Sequence, residues 1–349
     1  MKVSAYCTVR NAVEMEYPFE ESIQSHLAFA DEVVVLDSTD PPDGTTERLE
    51  QLVKSEPRVK VVRTSFPWNA PNHGIYDGAS KAAARRACTG EFLWQFDIDE
   101  VIHEDHAKMV KPLIAKVDWS KLSLLALPVV DFWGREGRVR VDVNLWKWRL
   151  SVNSPEITHG IPIQLRKYEN GLLYAQHGTD GCDYINQATG NVIPCGGYVP
   201  EQVELLKRQA VRDSGPLPIV SRFVNGSLEE LPGVFHYSWF NIERKIRNFR
   251  VFWNSSWKSL YNEDRDERAN PFFPGLTWAE VTDDMIRAKA LELESKTGGH
   301  VFHVPWDGSK NNFIKIKMNH PQVIQSWVSK QQGETKGVTW LKHELETSR

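Results

Sequence analysis

Through the first hundred residues, short apolar runs alternate with stretches whose apolar positions recur every three or four residues. Residues 3–9, 32–36 (EVVVL), 59–63 (VKVVR) and 91–96 read as strands, and 18–30, 45–55 and the Ala-rich 78–88 as helices. Four strands separated by three helices is the pattern of βαβ units on a parallel sheet, and the unbroken apolar runs suit strands covered on both faces. A helix is expected over 104–117, and then strands over 122–132, 138–150 and 161–166. Gly and Pro crowd 170–218 (GTDGCD, PCGG, SGPLP), which reads as a loop-rich segment with one short helix at 201–212. Helical periodicity returns over 241–261, 277–296 and 321–330, and the polar last dozen residues are expected to fray.

Composition narrows the class. Of 349 residues, 41% are hydrophobic and 25% charged, enough for a sizeable core, and this excludes a disordered chain or a fibre. With 42 Lys and Arg against 46 Asp and Glu the net charge is −4, and no long basic run exists to grip nucleic acid or an anionic membrane surface. The longest apolar run, near 122–130, is far short of a membrane span, so no integral membrane segment is expected. Four scattered cysteines without CxxC spacing argue against a disulfide framework or a zinc site. The N-terminus lacks the apolar core of a secretory leader. Together these features predict a soluble, cytoplasmic protein; its oligomeric state is left open. Thirteen Trp against nine Tyr supply either a thick core or flat faces for sugar rings or bases.

The passage EFLWQFDIDEVI runs a hydrophobic strand into Asp97, Ile98, Asp99 and Glu100. Side chains alternate along an extended chain, so Asp97 and Asp99 point the same way where the strand ends. That edge of an open α/β sheet is where ligands bind, and two hard carboxylates suit Mn²⁺ or Mg²⁺ bridging to phosphate oxygens. The competing role is to cap the helix that starts near 103–105. In ADEVVVLDSTDPPDGTTERLEQL a buried strand ends at Asp37, and Thr45 is the expected helix cap. An acid in Asp37's position accepts hydrogen bonds from ribose hydroxyls or a base edge, or is a solvent-facing turn residue. The first strand leaves through CTVRN, with no GxGxxG or Walker loop, which argues against a dehydrogenase or a P-loop enzyme. Thr8, Arg10 and Asn11 are there as donors to a nucleotide, Arg10 with a planar fork for phosphate.

Taken together, TVRN, EVVVLDSTDPPDGT and GEFLWQFDIDE resemble the nucleotide-sugar glycosyltransferases of the GT-A fold, in particular family 2, over about the first 165 residues. The resemblance implies an α/β Rossmann-like fold, a mostly parallel sheet flanked by helices with a C-terminal helical extension. It divides the chain into a GT-A domain at 1–235, with a donor half at 1–103 and an acceptor half at 104–235, and an extension at 236–349. It implies a UDP-, GDP- or dTDP-sugar held by Thr8, Arg10, Asn11 and Asp37, with Asp97 near the ribose and Asp99 on the metal. Lys81-Ala82 stands where the family often has Arg-Asn, which keeps a positive charge toward the diphosphate, and Asp77 is a further candidate for the base edge.

The implied reaction is a metal-dependent, inverting displacement at the anomeric carbon by a hydroxyl of a glycan or other acceptor. The family takes its base from beyond the DxD strand, so Asp180 and Asp183 in HGTDGCDY are the candidates, with Glu156 in PEITHGIP as the alternative. A late His completes the metal shell in several GT-A enzymes, and His236 in GVFHYSW fits that place, or is a core histidine. Lys245, Arg247 and Arg250 follow on a helix and either approach the diphosphate or form a solvated face. Trp133, Trp146, Trp148, Trp239, Trp253, Trp257 and Trp278 are core or an acceptor platform. A non-catalytic sugar or sugar-nucleotide binder on a degenerate GT-A scaffold is the alternative of a different class.

Overall fold

The computed structural model describes residues 1–68, 75–120, 123–135, 138–140, 146–155, 157, 184–185, 192–193, 195–196, 221–224, 227–230, 232–250, 270, 272–295, 313–315 and 319–332. Its first strands and helices alternate as β1 (Val3–Val9), α1 (Phe19–His26), β2 (Glu32–Asp37), α2 (Thr45–Ser55), β3 (Val59–Arg63), α3 (Ile75–Arg86) and β4 (Phe92–Gln95). β1 pairs in parallel with β2 and β4, and β2 with β3. Alternation along these strands divides two hydrophobic layers. Ala5, Cys7, Val9, Val33 and Val35 pack with Phe19, Ile23 and Leu49, while Tyr6, Val34, Leu36 and Leu93 pack with Ala79 and Ala84 of α3. Covering both faces is why β2 needs an uninterrupted apolar run.

Beyond β4 the chain forms β5 (Glu100–Ile102), α4 (Glu104–Lys116), β6 (Leu124–Trp133), β7 (Arg138–Arg140) and β8 (Trp146–Val152). The described part of the loop-rich stretch holds short strands β9 (Tyr184–Ile185), β10 (Val192–Ile193), β11 (Cys195–Gly196), β12 (Ser221–Val224) and β13 (Ser227–Glu230). Then come β14 (Val234–Trp239), α5 (Ile242–Asn248), α6 (Asp283–Ser295), β15 (Phe313–Lys315) and α7 (Gln325–Gln332). Among the described residues one sheet runs β15-β7-β6-β8-β4-β1-β2-β3, with β11 beside β6 and β14 between β5 and β6. It is parallel from β3 to β4 and mixed beyond, because β8 lies antiparallel to both β4 and β6.

Several expectations need correction. The strand expected over 138–150 is two strands, β7 and β8. The boundary drawn between 235 and 236 falls inside β14, which the sheet holds on both sides. β15 joins β7, so the C-terminal segment contributes strand as well as helix. Gly44, at φ 95°, caps α2 in place of Thr45, whose hydroxyl instead accepts the Val13 N–H at 3.0 Å. The strand expected over 161–166 and the helix over 201–212 lie outside the described residues. Among the described residues no helix is long and apolar enough to cross a membrane.

Candidate functional site

The parallel register brings three strand ends to one edge: Val9 lies opposite Asp37, and Tyr6 lies opposite Gln95, two residues before Asp97. Of the donors expected from the first strand, Asn11 is taken up by the fold. Its amide donates to Pro41 O at 2.7 Å and accepts from the Asp40 N–H at 3.2 Å, and its backbone adopts φ 45°. Asn11, expected as a donor to the nucleotide, here ties the β1 exit to the loop after β2. Asp37 is also engaged internally, accepting from the Thr39 N–H at 3.0 Å and the Thr46 hydroxyl at 2.6 Å. Thr8 stands on β1 opposite Leu36, one residue before the strand's exit. The Arg10 guanidinium lies 4.6 Å over the Trp68 ring, and burial pushes its pKa down to about 10 against the opposing charge of Asp40. Asp77 lies on α3.

The DxD acids are not caps. β5 separates them from α4, and the cap of α4 is His103, which accepts the Asp105 N–H. Asp97 is ringed by cations: Lys81 Nζ at 3.3 Å, Arg149 Nη2 at 2.9 Å and Lys147 Nζ at 3.9 Å. Glu100, fully enclosed, takes Arg149 at 2.5 Å and Lys147 at 3.2 Å. Burial alone would raise both carboxyls, but the surrounding cations more than offset it and hold both below the ordinary range. Arg149 also donates to Gln95 Oε1.

Asp99 has a different neighbour. Its Oδ1 lies 3.5 Å from His236 Nε2, and His236 Nδ1 lies 2.8 Å from Asp131 Oδ1. Strand pairing sets this alignment, because His236 of β14 lies opposite Glu100 of β5 on one side and Asp131 of β6 on the other. Burial and Lys147 push the His236 pKa down, yet Asp99 and Asp131 outweigh them and raise it to about 9. Asp99 is correspondingly held well below the usual carboxylate range, its burial offset by the His236 charge and hydrogen bond.

Asp99 and His236 offer a divalent ion one hard oxygen and one imidazole nitrogen, with the other ring nitrogen backed by a carboxylate as in metal-binding histidines. Among the described residues no group of three His, Cys, Asp or Glu side chains is arranged as a metal shell. Asp97, expected on the metal with Asp99 and His236, is here engaged by Lys81 and Arg149. The pair fits Mn²⁺ or Mg²⁺ that fills its remaining positions with phosphate oxygens and water.

Sequence reasoning missed Lys147, Arg149 and Asp131. The signal was present in WKWRLS: Trp148 and Leu150 point into the core, so Lys147, Arg149 and Ser151 share the opposite face. The Trp platform did not materialise at four positions, since Trp133, Trp148, Trp239 and Trp278 are all buried among apolar residues. The C-terminal cations serve the fold as well. Lys245 donates to Ser238 Oγ at 2.5 Å, Arg247 faces Glu16 at 3.5 Å, and Arg250 pairs with Asp283 at 2.7 Å. Asp180, Asp183, Glu156, Trp253 and Trp257 lie outside the described residues, as does the side chain of Trp146.

Residues 11–150 match the family model described as Glycosyl transferase family 2. No curated relative matches. Among solved structures, S. aureus TarS 1-349 in complex with UDP aligns at 24% identity over 38% of this chain and 36% of that one, with a TM-score of 0.28. The mannosyltransferase PcManGT from Pyrobaculum calidifontis, in complex with GDP-Man and Mn²⁺, aligns at 13% identity over 84% and 73%, TM-score 0.34. Glucosyl-3-phosphoglycerate synthase from Mycobacterium tuberculosis aligns at 16% over 44% and 57%, TM-score 0.30. The stretch similar to that family model includes the ends of β2 and β4, the DxD acids and Lys147 and Arg149.

Proposed function

We propose that the chain transfers a sugar, with inversion, from a nucleotide-sugar donor to a hydroxyl acceptor such as a glycan, and that it uses Mn²⁺ or Mg²⁺. The observation that supports this most is the pairing of Asp99 with His236 beside a cation-ringed Asp97, at the edge where the parallel strands end. A bound divalent ion would offset charge on the leaving diphosphate. Lys81 and Lys147 add positive charge on the same side, and Arg10 offers a planar fork at the β1 exit. The C–O bond from the anomeric carbon to the diphosphate breaks as the acceptor oxygen bonds to that carbon. The acceptor's proton passes to a carboxylate, for which Asp180 and then Asp183 are the candidates. Of the donor-binding set, Thr8, Arg10, Asp77 and Lys81 remain as contacts, while Asn11 and Asp37 shape the loops around the nucleoside.

UDP or GDP binding by calorimetry should require Mn²⁺ or Mg²⁺ and be lost in Asp99→Ala. Metal-independent binding unchanged by that substitution overturns the assignment. A panel of sugar nucleotides screened by thermal shift with Mn²⁺ should find one that raises the apparent stability, and that donor should be slowly hydrolysed to free nucleotide. Binding without hydrolysis across the panel would favour the non-catalytic binder.

A further inference from the structure

A histidine that holds a metal through one ring nitrogen must keep the other protonated and aimed, and this requires an acceptor fixed behind it. Asp131 is placed for that task. It lies on β6, a strand outside the DxD segment, and β14 runs parallel to β6 with His236 opposite Asp131. The Asp131 Oδ1 to His236 Nδ1 distance is 2.8 Å, and the His236 Nε2 on the far side of the ring is the atom that faces Asp99. Asp131 is 8% exposed, and its neighbours on β6, Val130 and Phe132, are packed in the core with Phe235 and Tyr237 of β14. The carboxylate is thus carried by a strand with little freedom to move, and a β-sheet register sets its separation from the ring.

We propose that Asp131 is a positioning residue for the metal site: its carboxylate accepts the Nδ1–H of His236 and so fixes the ring with Nε2 on the Asp99 side, where it would meet an ion that displaces its proton. This rests on the reading of Asp99 and His236 as the metal pair. It extends the site one shell outward to a residue that never touches donor or acceptor. The structural alternative is that Asp131 only neutralises a buried imidazolium, in which case its loss would lower stability and leave metal affinity alone.

The test is direct binding of Mn²⁺ alone to the full chain, followed by electron paramagnetic resonance of the free ion, for wild type, Asp131→Asn, Asp131→Ala, Asp99→Ala and His236→Ala. Asp131→Ala should weaken Mn²⁺ binding about 10- to 100-fold, and Asp131→Asn, which keeps a neutral acceptor oxygen, by about tenfold or less. The imidazole nitrogen coupling in the pulsed spectrum of bound Mn²⁺ should diminish in the same order. Asp131 variants that bind Mn²⁺ like wild type, while Asp99→Ala and His236→Ala do not bind it, overturn the positioning role and leave the metal pair standing. Full Mn²⁺ binding in Asp99→Ala and His236→Ala overturns the metal reading itself. Circular dichroism melts of each variant separate unfolding from weakened binding.

Discussion

The Arg149 guanidinium is sealed from water, and two acids match its charge. It reaches Glu100 at 2.5 Å and Asp97 at 2.9 Å while only 3% exposed. Glu100 has no exposed side-chain surface of its own, so removing the guanidinium strands a buried carboxylate. Arg149→Met should destabilise the fold by about 3 kcal/mol, the low end for a broken buried pair, because Lys147 still faces Glu100. Combining it with Glu100→Gln should recover at least half of that loss. Urea midpoints at constant m read both numbers. A double variant no more stable than Arg149→Met would mean that Glu100 does not depend on the pair.

At the scale of elements, Glu32 performs a comparable service on the far side of the sheet. It opens β2 and accepts from Ser4 of β1 at 2.5 Å, from the Thr89 N–H at 2.6 Å and hydroxyl at 2.7 Å, and from Lys60 of β3 at 2.5 Å. The Thr89 contact is possible because residue 90 is glycine: a Cβ there would lie 2.6 Å from Ser4 Oγ. Burial would raise the Glu32 carboxyl, but these four bonds win and hold its pKa down to about 2. A depressed pKa adds stability above the unfolded value near 4.5, and that contribution disappears as pH falls from about 4.5 to about 2. The difference in urea midpoint between wild type and Glu32→Gln should therefore be largest at pH 6 and shrink steadily below pH 4.5. A pH-independent difference would assign the effect to packing.

The same elements explain how much the sequence revealed. β1, β2, β3 and β4 and their helices were legible because local period and burial agree there, and the DxD acids were legible because they end a strand. Asp131, Lys147 and Arg149 were not, because they enter the site through pairing between strands distant in sequence, and no local pattern encodes which strands pair. The partners of Asn11 were hidden for a related reason: TVRN shows a polar exit, but only the loop that arrives from residues 39–41 determines what its amide bonds to.

For the whole molecule, β14 and α7 make the C-terminal segment part of the same sheet and core as the N-terminal strands. β14 fills the space between β5 and β6, and Phe235, Tyr237 and Phe240 share a core with Val101, Phe132, Trp327 and Val328. Arg244 is fully buried, with its guanidinium 4.8 Å over the Tyr17 ring and 5.4 Å over Trp327, and donates to Tyr237 O at 3.1 Å. Trp327 Nε1 donates to Glu16 O at 3.2 Å, which fastens α7 to the segment just after the β1 exit. A chain cut after residue 235 would lose most of β14, Arg244 together with Trp327, and the cover over Val101 and Phe132. Such a fragment should show no cooperative urea transition, although it contains every residue of the family match. Trp327→Ala in the full chain should keep the transition but lower stability by about 3–5 kcal/mol. It should also speed amide exchange at Glu16 and Tyr17, because α7 no longer holds that segment. A 1–235 fragment that unfolds cooperatively with the full chain's m-value would show that the sheet closes without β14, and the C-terminal segment would then be an extension, as the resemblance implied.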